Sequence, residues 1–487
     1  MPLVSFLRMR VRPGLSMKLV FLLCVSTAAL TFLLNASGTL HPHSPVNLST
    51  NTRLSLLGNS SGHGDSCVLP KLKLWPPLYR KLFAKPKGLD CSLAEENWVY
   101  VDRGMFQISA SAIRRHGEVK CVYTPLMRGR NDYTTIWGDP VVDVMSGMRL
   151  QTDFFKVNCT AEDNSAYFNI HAGITPVREP TPGPDASAGT QNPLGLNILM
   201  IGFDSTSRLA WMRNVPKTYD YLVNILGATV MEGYNIVGDG TPRALIPILT
   251  GHTEWELPES HRGVKGARTM DGHPWIWDDL KRLGYVTQYA EDKHKMGTFT
   301  FGMVGFQKQP MRTYYLQSEK LGGLSRRLCT GSVPRHVVFL NYARELYRTY
   351  PAHMRKFSFL FHVELSHDST NLLQLADDDL VEFLKDMNGA GHLDNTVLIM
   401  MADHGQRFTR VRRTVQGKLE ERTPFMSLRF PPSFARTHPE AIKNLRTNAK
   451  RLTTPFDIHA TFKDIVDYSA TMRGDVAQVS HVDEARS

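Results

Sequence analysis

This chain of 487 residues lacks several features that would assign it quickly to a class. Its 57 Lys and Arg residues outnumber its 46 Asp and Glu residues, but they are scattered, and no block of like charge indicates nucleic-acid binding. No internal repeat is visible either. The net charge of +11 instead favours attraction to acidic phospholipid or glycan surfaces.

Charge is also missing near the N-terminus, between Lys18 and Arg53. A basic leader followed by an apolar stretch predicts a cytosolic tail at 1–17 and a signal anchor at 18–37. The residues after the anchor would then lie on the opposite side of the membrane from the cytosol. The alternative is a cleaved signal peptide. Either way the chain enters the secretory pathway, as a Golgi or plasma-membrane type II protein or as a secreted one. The Ser-, Asn- and Gly-rich residues 38–66 predict a stalk.

Cysteine is scarce, with six in the whole chain. Cys24 lies in the predicted anchor, and four others lie within one hundred residues: Cys67, Cys91, Cys121 and Cys159. In an oxidising compartment these four predict two disulfides in an N-terminal unit, with Cys329 left over. Three glycosylation sequons, at Asn47, Asn59 and Asn158, agree with a lumenal glycoprotein.

Composition divides the remaining chain into four parts. Short β-like runs predict a small disulfide-bearing unit at 67–174, and a Pro-rich linker follows at 175–193. From 194 to 470, apolar runs alternate with amphipathic stretches, which predicts an α/β fold with a doubly wound, mostly parallel sheet and helices on both faces. Residues 471–487 form a polar tail.

Two strings in the α/β part carry the strongest chemical signal: Gly202-Phe203-Asp204-Ser205 and Ala402-Asp403-His404-Gly405. Each follows a short apolar run of the kind that forms a buried parallel strand. Ligands of open α/β sheets bind at the carboxyl edge, where such residues emerge. Two carboxylates and an imidazole at one edge predict a divalent cation site. The alternative for Asp204 is a helix N-cap.

Two further strings add candidate residues. Thr241 follows two glycines and precedes Pro242, which places it at a helix N-terminus, where it is either a cap or a metal-activated nucleophile. In the second reading Arg243 binds the anion. Glu364 and His367, three residues apart after an apolar run, are candidate metal ligands, whereas His362 and His459 are equally or better explained as core histidines.

The order of these strings resembles the alkaline phosphatase superfamily, and within it the metazoan sulfatase-like family known as domain of unknown function 229. The resemblance spans roughly residues 67–468. The matching strings are Met200-Ile201-Gly202-Phe203-Asp204-Ser205, Gly238-Asp239-Gly240-Thr241-Pro242-Arg243, Leu249-Thr250-Gly251, Gly284-Tyr285-Val286-Thr287, Glu291-Asp292, Leu365-Ser366-His367-Asp368, Ala402-Asp403-His404-Gly405, Gly417 to Phe425 and Asp457-Ile458-His459-Ala460-Thr461.

The resemblance implies an alkaline-phosphatase-like fold with one or two zinc ions, calcium and manganese being alternatives. One ion would be held by Asp204, Thr241, Asp403 and His404. The other would be held by Glu364, His367 and a third ligand that the sequence does not identify. Thr241 would then form a covalent intermediate that water or an acceptor hydroxyl resolves.

This chain departs at four points from what the superfamily and the family usually show. Thr241 stands where sulfatases of the superfamily carry Cys or Ser, which favours phosphate-type over sulfate chemistry. Glu291 and Asp292 stand near a position where they carry basic residues, so this pair would bind a substrate ammonium group or would be a surface pair beside Lys293. Glu364 replaces the usual Asp, and the family's Cys-rich C-terminal piece is missing, which would leave Cys329 without a partner.

The sequence therefore predicts a metal-dependent hydrolase or transferase that acts through Thr241. Its substrates would be phosphate, phosphodiester or sulfate esters of extracellular or lumenal glycans or lipids, and the N-terminal helix would bind the membrane. The alternative is a catalytically inactive sulfatase-like protein that binds acidic glycans at the cell surface. Oligomeric state, disulfide pairing and substrate identity are left open.

Overall fold

The computed structural model describes residues 68–92, 94–130, 133–176, 194–293, 296–308, 312–315, 328–369 and 371–467. The predicted cytosolic tail, anchor, stalk and polar tail, Cys67 and most of the predicted linker lie outside these ranges. No helix in the described ranges is long and apolar enough to span a bilayer. The described residues from Lys71 to Asp467 group as one compact unit. The domain boundaries drawn from composition stay predictions.

The described strands fall into one large sheet, one smaller sheet and short pairs. They are β1 Val99–Asp102, β2 Met105–Ile108, β3 Val119–Arg128, β4 Thr135–Trp137, β5 Val141–Val144, β6 Phe154–Ala161, β7 Ala166–Ala172, β8 Asn197–Phe203, β9 Thr229–Val230, β10 Gly233–Tyr234, β11 Val286–Glu291, β12 Arg312–Tyr315, β13 Cys329–Thr330, β14 Val333–Pro334, β15 Lys356–His362, β16 Thr396–Met401, β17 Met426–Arg429 and β18 Leu452–Thr453.

The described α-helices connect these strands, mostly within the large sheet. They are α1 Pro77–Leu82, α2 Ala110–His116, α3 Arg208–Asn214, α4 Pro216–Asp220, α5 Thr241–Thr250, α6 Ile276–Arg282, α7 Arg335–Thr349, α8 Asp377–Gly389, α9 Val415–Arg422, α10 Pro432–Thr437, α11 Pro439–Asn448 and α12 Pro455–Asp467. A π-helical turn, Tyr221–Ile225, extends α4.

The large sheet has the strand order β12-β11-β15-β8-β16-β17-β9. The pairs from β12 through β16 are parallel, whereas β17 pairs antiparallel with both β16 and β9. Strand β8 lies among the parallel strands, and all seven of its residues are buried because helices cover both faces. Four of the five apolar runs in the sequence match strands of this sheet: Leu196 to Phe203 matches β8, Tyr285 to Tyr289 matches β11, Phe357 to Val363 matches β15, and Thr396 to Met401 matches β16. The fifth run, Ala228 to Val237, forms only the short strands β9 and β10.

Alternate residues of β8 enter two separate cores, as strand geometry requires. Leu199, Ile201 and Phe203 pack in the cluster that contains buried residues of α7 and α8. Ile198 and Met200 pack in the cluster that contains buried residues of α5, α6 and α12. The predicted fold class, a doubly wound and mostly parallel sheet with helices on both faces, is therefore confirmed.

The smaller sheet is antiparallel, with the path β4-β3-β6-β7 and β5 paired to β3, and it has its own buried cluster. One disulfide, Cys121–Cys159, joins its neighbouring strands β3 and β6. The second disulfide corrects the prediction for Cys329, which is bonded to Cys91 rather than left over. Sequence order hid this pair because 238 residues separate its two halves.

Candidate metal centre and nucleophile

Four neighbouring parallel strands bring acidic or imidazole side chains to one edge of the large sheet. Asp292 directly follows β11, Glu364 follows β15 by two residues, and Asp204 directly follows β8. Asp403 and His404 come two and three residues after β16. The parallel register between β15, β8 and β16 places these strand ends side by side, so their side chains gather at the carboxyl edge.

Asp204, Asp403 and His404 form a buried group whose ligand atoms all lie within 4.8 Å of one another. His404 Nε2 lies 3.9 Å from Asp204 Oδ1 and 3.2 Å from Asp403 Oδ2. No other group of three such side chains occurs in the ranges that the structure describes. Two carboxylates and one imidazole in this arrangement are a suitable ligand set for zinc or a related divalent ion.

The histidine ring is oriented for coordination. His404 Nδ1 lies 2.8 Å from the Gly405 carbonyl oxygen, so in the neutral ring Nδ1 donates and Nε2 presents a lone pair. That lone pair faces Asp403 Oδ2, which is buried and accepts no hydrogen bond from any residue that the structure describes. A cation between these two acceptor atoms would relieve their repulsion, and the residues present therefore fit a metal ion.

Electrostatics support the same interpretation. Burial raises the pKa of Asp204 well above its ordinary value, and the nearby Asp403 carboxylate raises it further. Glu291 and Asp292 act in the same direction. A divalent cation would supply the positive charge that keeps such buried carboxylates ionised.

The backbone around the group is tightly fixed. Ser205 adopts φ of 59°, and its N–H donates to Asp403 Oδ1, which also accepts from the N–H of His404. The Gly405 N–H donates to the Glu421 carbonyl at 2.8 Å. A Cβ at position 405 would lie 2.7 Å from the Glu421 Cα and would also collide with the Glu420 carbonyl, so only glycine allows α9 to approach this closely.

Thr241 is the first residue of α5, as the sequence predicts, and Gly240 before it adopts φ of 108°. The free N–H groups of this end favour an anion. The Arg407 guanidinium connects this helix start to the loop that contains His404. Arg407 pairs with Asp239 at 3.3 Å, and a Cβ on Gly240 would lie 3.1 Å from its Nη1.

Arg243, the predicted anion-binding residue, contacts protein groups on its outer side. Its Nε donates to Glu254, whose carboxylate also lies 3.5 Å from His261 Nε2. Its guanidinium carbon lies 5.4 Å from the centre of the Trp255 ring. Contact of Arg243 with a bound anion stays a prediction.

Glu364 and His367 are not part of the three-residue group. Glu364 Oε1 accepts from Arg335 at 2.8 Å, and the Glu364 backbone N–H donates to Asp292. His367 Nδ1 lies 2.8 Å from Asp368 Oδ1, and its ring contacts Phe408 with centres 4.9 Å apart. Their role in a second metal site stays a prediction.

Glu291 and Asp292 are both fully buried, so the alternative of a surface acidic pair is wrong. Glu291 accepts hydrogen bonds from Tyr289 and twice from Thr298. Burial raises the pKa of Glu291 to about 7 and that of Asp292 to about 6.

Asp292 binds the chain that leaves β15, because its two oxygens accept from the N–H groups of Val363 and Glu364. In this structure the acidic pair therefore holds neighbouring elements in place. Its predicted contact with a substrate ammonium group is untested.

Two histidines that the sequence leaves open as core residues or metal ligands lie outside the group of Asp204, Asp403 and His404. His362 is buried, and its ring stacks on Phe203 with centres 5.4 Å apart. Burial lowers its pKa well below the ordinary value, so the ring is neutral. His459 Nδ1 lies 3.1 Å from the Ile248 carbonyl near the end of α5, as expected for a histidine between packed helices.

The sequence reasoning missed two arginines near the site. Arg407 lies three residues after His404, a proximity that could have identified it. Arg262 lies in a loop without any such signal. Desolvation lowers the pKa of Arg262, and attraction to the Asp204 carboxylate opposes this shift. Its neighbour His261 lies against Trp255, with ring centres 4.7 Å apart.

Comparisons with known proteins agree with the resemblance seen in the sequence. The family described as "Protein of unknown function (DUF229)" matches residues 93–486. A search of curated proteins finds no match.

Several solved structures are similar to parts of the chain. The soluble domain of lipooligosaccharide phosphoethanolamine transferase A from Neisseria meningitidis aligns with 56% of this chain and 88% of its own, at 12% identity and TM-score 0.37. The zinc complex of the C-terminal periplasmic domain of EcEptC from Escherichia coli aligns over 56% of this chain and 82% of its own length, at 14% identity and TM-score 0.39. A protein of the alkaline phosphatase superfamily from Vibrio parahaemolyticus aligns with 58% and 67%, at 14% identity and TM-score 0.37.

Proposed function

The chain belongs to the DUF229 family, and on the geometry of its site we propose that it is a metal-dependent hydrolase or transferase of phosphate-type esters. The observation that carries this proposal is the buried group of Asp204, Asp403 and His404 at the carboxyl edge of the sheet. The start of α5, which presents Thr241, is linked by Arg407 to the loop that follows this group.

Each part of the site has a role in the proposed reaction. The metal, held by Asp204, Asp403 and His404, would lower the pKa of a bound hydroxyl and stabilise developing negative charge. Thr241 Oγ1 gives up its proton and bonds to phosphorus, while the bond from phosphorus to the ester oxygen breaks and that oxygen takes up a proton and leaves as an alcohol. Water or an acceptor alcohol then bonds to phosphorus, the bond to Thr241 breaks, and the proton lost by the attacking oxygen restores the Thr241 hydroxyl. The N–H groups at the start of α5 stabilise the phosphoryl oxygens.

The proposal includes finer points that follow from sequence and ligand chemistry. Zinc is the favoured ion because the ligands combine carboxylate and imidazole, with calcium and manganese as alternatives. Glu364 and His367 would contribute to a second ion. Substrates are esters of glycans or lipids in the lumen or outside the cell, and residues 18–37 anchor the chain in the membrane. Phosphate esters are favoured over sulfate esters because Thr241 stands at the position where sulfatases of the superfamily carry Cys or Ser.

The test combines metal analysis with turnover by the purified protein. We expect at least one divalent ion per chain and hydrolysis of an aryl phosphate or aryl phosphodiester. Thr241→Ala should reduce turnover by at least about 100-fold while keeping the metal, and Thr241→Ser should retain part of it. Thr437→Ala, on the exposed helix α10, is the matched control and should leave turnover unchanged. Full activity of Thr241→Ala would refute the nucleophile assignment.

One observation favours the alternative, an inactive protein that binds acidic glycans. The ion pair between Arg335 and Glu364 places a positive charge where the second metal would be expected. The same measurements separate the two functions. A purified chain without stoichiometric metal, and without turnover of aryl phosphate, phosphodiester or sulfate, would establish the binding protein.

A further inference from the structure

Three arginines near the candidate site each lie against an exposed aromatic ring. The pairs are Arg243 with Trp255 at 5.4 Å, Arg262 with Phe301 at 4.9 Å and Arg407 with Phe408 at 5.9 Å, measured from guanidinium carbon to ring centre. The rings are 70%, 47% and 62% exposed respectively. We call these six residues the aromatic rim.

The rim borders the residues proposed to react. Arg243 is two positions after Thr241 on α5, and Arg407 lies beside Gly240 at the start of the same helix. Arg262 directly follows His261, whose ring lies against Trp255 with centres 4.7 Å apart. Arg243 and Arg407 therefore lie next to the nucleophile, and Arg262 is connected to them through Trp255.

Contacts within the chain join two of the pairs into one wall. The Trp255 ring lies against His261, with centres 4.7 Å apart, and His261 directly precedes Arg262. The N–H of Gly263 donates to the Gly302 carbonyl at 2.8 Å, which holds the loop of Arg262 against the loop of Phe301. The third pair comes from the loop after His404, where Phe408 also contacts His367.

Charge on the rim is incompletely neutralised. Arg243 pairs with Glu254, and Arg407 pairs with Asp239 and more distantly with Glu421. Arg262 is exposed, and its guanidinium forms no ion pair or hydrogen bond with any residue in the described part of the chain. A bound anion could therefore pair with this charge.

The combination of flat exposed rings and guanidinium groups is suited to one type of ligand. Aromatic rings at a site opening stack on the apolar faces of sugar rings, while guanidinium groups bind carboxylate, sulfate or phosphate in a bidentate manner. Surfaces that bind lipid bilayers instead separate their apolar face from their charged face. Here each ring has a cation against it, which favours a sugar chain over a bilayer.

We propose that the aromatic rim is a binding subsite for an acidic glycan, which it holds with an ester group next to Thr241. This inference deepens the proposed function, because it selects acidic glycans among the substrates considered above. The subsite itself requires no turnover, so binding can be measured separately from the reaction.

The test is calorimetric binding of a heparin-derived octasaccharide to the purified full chain, with the neutral octasaccharide of maltose units as comparison. We expect the acidic octasaccharide to bind at least about tenfold more tightly than the neutral one. Arg262→Ala, Trp255→Ala and Phe301→Ala should each weaken binding of the acidic octasaccharide by about tenfold.

Two variants elsewhere on the surface serve as matched controls. Trp137 is 42% exposed and lies under Lys156 at 5.1 Å, so Trp137→Ala removes an aromatic–cation pair on the small sheet. Arg446→Ala removes an exposed arginine from α11. Both should leave binding within about twofold of the unmodified protein.

Three outcomes would overturn the proposal. In the first, the neutral octasaccharide equals the acidic one in affinity. In the second, the rim variants bind as tightly as the controls do. In the third, vesicles of equal parts phosphatidylglycerol and phosphatidylcholine bind and depend on the rim, whereas the octasaccharide does not bind; this would assign the rim to a lipid surface.

The same measurements distinguish the two proposals. Rim-dependent binding of the acidic octasaccharide without turnover of any ester would support the glycan subsite and refute the enzyme. Turnover that depends on Thr241, together with absence of rim-dependent binding, would support the enzyme and refute the subsite.

Discussion

At the scale of single residues, the site depends on side chains whose charge or hydrogen bonding differs from that of exposed groups. Asp403 shows this most clearly: one oxygen accepts from two backbone N–H groups, and the other faces His404 Nε2 at 3.2 Å. The first oxygen fixes the carboxylate, and the second is left to coordinate. A single residue thereby connects the backbone after β8 with the proposed metal.

A prediction at this scale concerns His171 in β7. It is fully buried against Phe155, and burial lowers its pKa to about 4. The folded chain keeps the ring neutral, whereas the unfolded chain binds a proton below the ordinary pKa of about 6.5. The free energy of unfolding should therefore fall by up to about 1.4 kcal/mol per pH unit between pH 6.5 and 4.

The measurement is urea unfolding at a series of pH values. In His171→Phe this part of the pH dependence should disappear. The control is Thr437→Ala on the exposed helix α10, which removes no titratable group and should keep the same slope as the unmodified protein. An unchanged slope in His171→Phe would show that other groups cause the acid sensitivity.

At the scale of secondary-structure elements, the site results from the ends of parallel strands and from helices that approach them closely. Strand β16 ends at Met401, and the loop that follows is held against α9 through Gly405. Glu420 on α9 forms a buried ion pair with Arg213 on α3 and accepts from Ser207. These contacts fix the positions of α3 and α9 relative to the metal-ligand loop.

The prediction at this scale is that Gly405→Ala separates α9 from the loop. The new methyl group would collide with the backbone of Glu420 and Glu421, which cannot rotate away. We expect the free energy of unfolding to fall by about 1–3 kcal/mol and metal content to decrease.

Both quantities can be measured by urea unfolding and by metal analysis of the folded fraction. Gly272→Ala is the control, since a Cβ there meets nothing within 4 Å. Equal stability and metal content in the two variants would contradict the close-approach argument.

At the scale of the whole molecule, two disulfides restrict the chain over very different distances. Cys121–Cys159 closes a separation of 38 residues within the small sheet, whereas Cys91–Cys329 closes a separation of 238. The second bond links the segment before β1 to β13, which pairs with β14 just before α7. It therefore connects a segment that precedes the large sheet in sequence to the chain between the large-sheet strands β12 and β15.

We expect loss of either disulfide to lower the free energy of unfolding by about 2–5 kcal/mol, and loss of Cys91–Cys329 to have the larger effect. The physical reason is that the longer closed loop removes more conformational entropy from the unfolded chain. Urea titration would compare the unfolding of two double variants, Cys91→Ser/Cys329→Ser and Cys121→Ser/Cys159→Ser. A smaller effect for the first pair would show that contacts in the folded state outweigh loop entropy.

The amino-acid sequence by itself determined the α/β class, the principal strands and the residues that emerge at their carboxyl ends. These features depend on local patterns: a run of apolar residues specifies a buried strand, and the polar residue after it must lie at the sheet edge. For that reason the local pattern alone points to Asp204, Asp403 and His404 as one group. The position of Thr241 at the start of α5 followed from the local glycine and proline residues.

Only the tertiary structure decided which distant residues meet. It paired Cys329 with Cys91, placed Arg335 against Glu364 and buried Glu291 and Asp292. It also brought Arg407 next to Asp239 and Gly240 at the start of α5. Such contacts depend on how loops and helices pack across tens to hundreds of residues, and no short pattern in the sequence encodes them.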